Sequence, residues 1–221
     1  MPKLSALAQI NVLHADAHLL VLDKPAGLLS VPGRGPDKQD CLSARVQADF
    51  PDALIVHRLD MATSGLVIMA RGADAQRQLS RAFEQRQVGK RYEAVVNGLV
   101  QAPATADGWG VIDLPLIADW PNRPLRIVDV ERGQASTTRW RLRGFDTQAN
   151  ASRLELEPLT GRTHQLRVHL KALGHSILGD ALYAPHAVRD AAPRLLLHAT
   201  LLSLAHPATG QALAFHSPVP F

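Results

Sequence analysis

Short apolar runs of strand length, more numerous than stretches of helical period and not alternating strictly with them, constrain this chain to a sheet-dominated fold. Residues 9–23 read as two strands around Ala15-Asp16-Ala17-His18. Lys24-Pro25-Ala26-Gly27 then supplies a chain reversal, because proline fixes one φ and glycine accepts a positive one. The continuous apolar run at 65–70 (GLVIMA) predicts a buried strand, and 92–100, 136–145 and 152–157 show the alternation and β-favouring residues of further strands. Segments 195–204 and 212–215 close the chain as strands.

Helical period is confined to three places. Residues 41–50 predict a short helix stopped by Pro51, and 74–87 carries Ala75, Leu79, Ala82 and Phe83 on one stripe. Residues 160–173 place Leu166, Leu170 and Leu173 on one helical face and His164, Arg167 and Lys171 on another. The predicted class is therefore α+β, a mixed, mainly antiparallel sheet with flanking helices. Residues 101–124, rich in Pro and Gly, form the longest irregular stretch and a candidate functional loop. No repeat, low-complexity tract or convincing linker divides the chain, so 1–221 is read as a single domain.

Charge narrows the function without fixing it. Lys and Arg number 24 against 20 Asp and Glu, a net +4 that permits a polyanionic partner without demanding one. The single cysteine, Cys41, excludes an internal disulfide framework and a Cys-rich zinc site, and suits a reducing cytoplasm. The opening residues carry no signal-peptide pattern, and no apolar window approaches the roughly 20 residues of a spanning helix, so a cytoplasmic protein with no membrane partner is expected.

Three clusters carry candidate chemistry. In His57-Arg58-Leu59-Asp60-Met61-Ala62-Thr63-Ser64-Gly65, polar residues stand where a loop meets a buried strand. A guanidinium beside Asp60 keeps the carboxylate ionised, which suits a nucleophile better than a general acid, although an exposed Arg-Asp pair of little consequence has the same spacing. Thr160-Gly161-Arg162-Thr163-His164-Gln165-Leu166-Arg167 offers Arg167 as an anion partner from a leucine-anchored helix, or simply a solvated basic face. Lys90-Arg91-Tyr92 joins a ring able to stack on an unpaired base to two cations, or places a core tyrosine at a strand start.

The helix at 71–91 is locally basic, with Arg71, Arg77, Arg81, Arg86, Lys90 and Arg91 against Asp74 and Glu84. This leaves open a non-catalytic RNA-binding module. Ten histidines raise a metal-dependent hydrolase, but no HExxH or zinc-finger spacing occurs, and GHSILG misses the GxSxG pattern by one residue. No metal site is predicted.

Taken in order, HRLDMATSGL, KRYEAVV and GRTHQLRVHLKALGHSILGD resemble the RluA-type pseudouridine synthases, with further agreement in LDKPAGLLSVPGR, DLPLIADWPNRP and RLLLHA across nearly the whole chain. The resemblance implies an RNA-modifying isomerase built as one catalytic domain without an S4-like RNA-binding domain. It implies that Asp60 is the catalytic aspartate, Tyr92 the ring against the target uracil and Arg167 the basic residue paired with the aspartate. Arg58 would help open the RNA, and His57, Thr63, Arg162 and His164 are further substrate-binding candidates. No cofactor is implied. The compact length and WPNRP resemble members acting on both a 23S rRNA hairpin loop, at position 746, and the tRNA anticodon stem-loop, at position 32; no obligate protein partner is expected. The segment 126–139 matches less closely.

Overall fold

The structure, a computed structural model, describes residues 10–221; Gln9 of the predicted first strand and the segment before it lie outside the described residues. In chain order the elements are β1 (Asn11–Ala15), β2 (Leu19–Lys24), α1 (Leu42–Gln47), β3 (Ala53–Ile55), β4 (Ser64–Arg71), α2 (Gly72–Glu84) and β5 (Gly89–Asn97). There follow β6 (Gly110–Asp113), β7 (Leu116–Ala118), β8 (Arg126–Val128), β9 (Thr137–Asp146), β10 (Ala151–Pro158) and α3 (Gln165–Ala172). The chain closes with α4 (His186–Arg189), β11 (Leu197–Ala205) and β12 (Ala212–His216). The class is the expected α+β, and the pairs β1–β2, β2–β4, β3–β4, β5–β10, β9–β10, β6–β9, β7–β8 and β11–β12 are all antiparallel.

The described residues fall into two compact units, one running to Lys90 and resuming at Ala199–Val219, the other comprising Arg91–His198 with Pro220–Phe221. In the first, the strand order is β1-β2-β4-β11, with β3 on β4 and β12 on β11. β2 and β4 are almost wholly buried, as their continuous apolar runs require. The β1–β2 turn is held by Asp16, whose Oδ1 accepts from the His18 and Leu19 N–H groups at 2.7 and 2.9 Å. Burial works against its ionised form, but these bonds and those of His14 and His206 prevail and hold the carboxyl well below the usual range.

In the second unit β5-β10-β9-β6 form the sheet and β7-β8 a separate ribbon. From Ser152 onward β10 alternates, sending Leu154 and Leu156 into the core and Glu155 and Glu157 outward. The outward carboxylates meet arginines: Arg91 bonds Glu157 at 2.6 Å, Arg139 bonds Glu157 at 3.0 Å and Arg141 bonds Glu155 at 2.7 Å. Trp109 lies against all three guanidinium groups, 4.7–5.3 Å from its ring centroid.

Three expectations are corrected. The stretch 101–124 is not wholly irregular, since β6 and β7 lie in it. The helix predicted over 160–173 begins only at Gln165, because His164 takes a positive φ of 57° and the Gln165 side chain turns back to accept from the Arg162 N–H at 3.0 Å and the Thr160 hydroxyl at 2.7 Å. Nor does α3 present a solvated basic face: Gln165 to Leu170 are all buried, Arg167 among them.

Gly65, at the end of the HRLDMATSG loop, combines a φ of 109° with a close approach to Ala199, where an added Cβ would lie 2.3 Å from the backbone oxygen. Gly65→Ala is therefore expected to destabilise the protein by roughly 2 kcal/mol or more, measured by urea denaturation.

Candidate active site

The loop bearing Asp60 is built from behind by the DKPAGLLS segment. The Ser30 hydroxyl donates to the Leu59 carbonyl at 2.8 Å and accepts from the Leu59 N–H at 3.1 Å. The Met61 carbonyl accepts from the Gly27 N–H at 2.8 Å and from Lys24 Nζ at 3.1 Å. The residues on both sides of Asp60 are thus tied down, and Thr63 N–H closes the turn onto the Asp60 carbonyl at 3.1 Å. Lys24 is fully buried, its ammonium also donating to the Pro25 and Leu28 carbonyls, both at 2.8 Å. Asp60 itself is half-buried and Arg58 is exposed.

His57 and Thr63 are turned inward. Thr63 is buried, while His57 Nε2 accepts from the Ile68 N–H at 2.9 Å and the ring stacks on Phe83 with centroids 4.4 Å apart. Burial pushes the imidazole down to about 3, aided by the Lys90 ammonium. The ring is therefore neutral, and accepting through Nε2 puts its proton on Nδ1. Lys90, also pushed down by burial and then by Arg86, sits at the start of β5.

In the second unit Tyr92 is half-buried on β5 opposite Leu156. Arg91 beside it is engaged with Glu155 and Glu157. Arg167 is 4% exposed and makes a bidentate pair with Asp180, Nε to Oδ2 at 2.9 Å and the terminal nitrogen to Oδ1 at 2.6 Å. Asp180 Oδ1 also accepts from the Leu182 and Tyr183 N–H groups at 2.9 and 3.2 Å. The Tyr183 ring lies 5.1 Å from the Arg167 guanidinium, and its hydroxyl meets His164 Nδ1 at 2.7 Å. Arg162 is exposed, its Nε directed to the Ala135 carbonyl at 3.3 Å.

His169 is structural. Nε2 at 3.0 Å from the Leu114 carbonyl must be the donor, so Nδ1 accepts from Thr138, whose oxygen in turn accepts from Gln165 Nε2. Burial pushes this imidazole down as well, outweighing the Leu114 bond. Among the described residues no three His, Cys, Asp or Glu side chains gather in a way that could hold a metal ion. Among the described residues no helix is long and apolar enough to cross a membrane.

Sequence reasoning missed Lys24, Ser30, Asp180 and Tyr183 as parts of this machinery. The signal available was their place in the same motifs: LDKPAGLLS supplies the loop's frame, and GHSILGD ends on the partner of Arg167.

Residues 18–172 match the model of the RNA pseudouridylate synthase family, and the chain belongs to that family; it is an RNA pseudouridine synthase, an isomerase. Within it the chain is 48% identical over 210 residues to the dual-specificity RNA pseudouridine synthase RluA of Escherichia coli K12, covering 95% of this chain and 93% of that one. The RluA of Pasteurella multocida is 42% identical over 212 residues, covering 96% and 94%. The solved structure of human RNA pseudouridylate synthase domain containing 1 superposes with a TM-score of 0.79 at 27% identity, covering 97% of this chain and 85% of the other.

Two measurements test this construction. Between pH 6.5 and about 3 the unfolded chain takes a proton at His57 that the native imidazole refuses, so this contribution to stability is complete above pH 6.5 and is lost as the pH falls. Denaturation of His57→Gln between pH 7 and 4 is expected to show a shallower acid loss, by up to ~1.4 kcal/mol per pH unit. Asp180→Asn, which removes the carboxylate bidentate to Arg167, is expected to cost ~2–4 kcal/mol in urea denaturation.

Proposed function

We propose that this chain isomerises loop uridines in a 23S rRNA hairpin and in tRNA anticodon stem-loops, in the cytoplasm, with Asp60 as its catalytic carboxylate. The observation that carries this reading is the fixation of Leu59 and Met61 by Ser30, Gly27 and Lys24, which presents a single carboxylate at a defined point of a rigid loop. The substrates rest on likeness to RluA proteins described as dual-specificity.

The reaction breaks the N1–C1′ bond of uridine and makes a C5–C1′ bond, with the detached uracil retained and rotated. It is an isomerisation with no net redox change, and no cofactor is called for. A stacked uridine is out of reach of a protein carboxylate, so the nucleotide is flipped into the site, the unstacking offset by contact with Tyr92 and by grip on the backbone. Asp60 then either attacks C1′ or assists loss of a sugar proton to form a glycal; both routes require an ionised carboxylate. Arg167 is read as the cation serving that carboxylate. Arg58, exposed beside Asp60, occupies space vacated by the flipped base, and Arg162 and His164 contact the RNA. His57 and Thr63 act from behind by shaping the loop.

Asp60→Asn is expected to abolish product while retaining RNA binding. The assay incubates a uridine-containing tRNA anticodon stem-loop with protein and chelator, maps pseudouridine, and measures affinity separately. Turnover within tenfold of the parent would remove Asp60 from the reaction; loss of parental activity in chelator would revive a metal-dependent mechanism.

A further inference from the structure

The β7–β8 ribbon ends in a loop, 119–125, that holds its own shape. Asp119 N–H donates to the Leu125 carbonyl at 3.0 Å, and the Asn122 and Leu125 N–H groups donate to the Asp119 and Asn122 carbonyls, both at 3.1 Å. The Asn122 side-chain amide adds a bond to the Asp119 carboxylate at 3.0 Å. The base of the ribbon is equally fixed, for Arg126 N–H donates to the Tyr183 hydroxyl at 2.9 Å, and Leu125 and Val128 pack on Leu116, Val168 and Tyr183. The loop is therefore a rigid finger standing on the same helix, α3, that carries Arg167.

Trp120 lies in this loop with 64% of its surface exposed, and the Arg123 guanidinium stands 4.0 Å from its ring centroid. The other two tryptophans are used structurally: Trp140 is 7% exposed, and Trp109 is half-buried against Arg91, Arg139 and Arg141. An indole left in water forfeits the burial that a side chain of this size ordinarily gains. Arg123 makes no ion pair with the described residues, unlike Arg91, Arg139 and Arg141. A flat apolar ring, a cation beside it and a pre-organised loop are the elements with which proteins stack an unpaired base and hold its phosphate.

We propose that Trp120 and Arg123 form a stacking platform for an unpaired nucleobase of the substrate RNA, a nucleotide other than the uridine that reacts. The platform rests on the reading of the chain as an enzyme of structured RNA loops, and it deepens that reading by assigning a residue that selects loop geometry. Because every base has a π-face, it recognises an unstacked nucleotide at a given place more than its identity. Arg123 contributes by lying along the indole and presenting its charge to the adjoining phosphodiester.

The test uses the full chain and a tRNA anticodon stem-loop, intact and with a single abasic nucleotide at each unpaired position in turn. Trp120→Ala is expected to weaken binding of the intact RNA about tenfold, as is usual for loss of one stacked base, while Trp120→Phe stays within about threefold. One abasic position other than the target uridine should weaken the parent similarly and be insensitive to Trp120→Ala, since the two changes remove the same contact. Equal affinity of parent and Trp120→Ala, or equal penalties at every abasic position in both proteins, overturns the platform while the enzyme reading stands. Failure of the parent to bind or modify any of these RNAs overturns the substrate reading and the platform together. A shift in self-association of Trp120→Ala in sedimentation, with RNA affinity unchanged, overturns the platform in favour of a protein contact.

Discussion

The pair of Arg167 and Asp180 is the interaction on which the second unit turns. An arginine only 4% exposed stays charged, so the fold must bring a carboxylate to it in bidentate geometry, and it does so with a side chain that also caps the following turn. That turn delivers Tyr183, whose hydroxyl meets His164 on one side and receives the Arg126 N–H on the other. One buried charge thereby fixes α3, the non-helical GRTH segment ahead of it and the base of the β7–β8 finger. Replacing such a pair by apolar residues of equal volume often leaves stability unharmed. Its presence here is explained better by positioning of the guanidinium than by stability.

The first unit solves a similar problem with a different group. The ammonium of Lys24 is fully buried and bonded to the carbonyls of Pro25, Leu28 and Met61. Three carbonyl dipoles converging on one cation draw a turn and a distant loop together, since Met61 is remote in sequence from the other two. A lysine has three donors on a compact head and can serve three directions; an arginine, with its planar fork, suits the two parallel oxygens of Asp180. Each unit uses the cation whose shape matches the acceptors it must gather.

Much of this was legible in the sequence and some was not, for physical reasons that differ by element. β2, β4, β9 and β10 are long enough for apolar runs or alternation to register, and the α+β class follows from them. β3, β7 and β8 have three residues each, too few for a period, and their pairing is set by partners elsewhere. The helical spacing from His164 to Leu173 was real, but periodicity is blind to a left-handed φ at His164 and to a glutamine side chain that captures the preceding turn. Asp60 was visible as an acid near a guanidinium; what raised it above a surface ion pair was its motif. The bonds that fix the residues on either side of it come from Ser30 and Lys24, about thirty residues away.

Charge shows most clearly why composition alone misleads. The excess of cations over anions suggests a diffuse positive surface, yet Arg91, Arg139, Arg141 and Arg143 share Glu155, Glu157 and Asp107 in a ladder across the sheet. Arg71 is likewise engaged with Asp52 and Arg45 with Asp40. Such pairs contribute little to the field felt by an approaching phosphate, because the carboxylates beside them cancel most of the guanidinium charge. The cations without a carboxylate partner among the described residues include Arg58, Arg81, Arg86 and Arg123, and two of these flank the loops argued above to meet RNA. Attraction to RNA therefore depends on which few guanidinium groups the sheet has left uncommitted, and each phosphate contact so made releases counterions and adds to the salt dependence of binding.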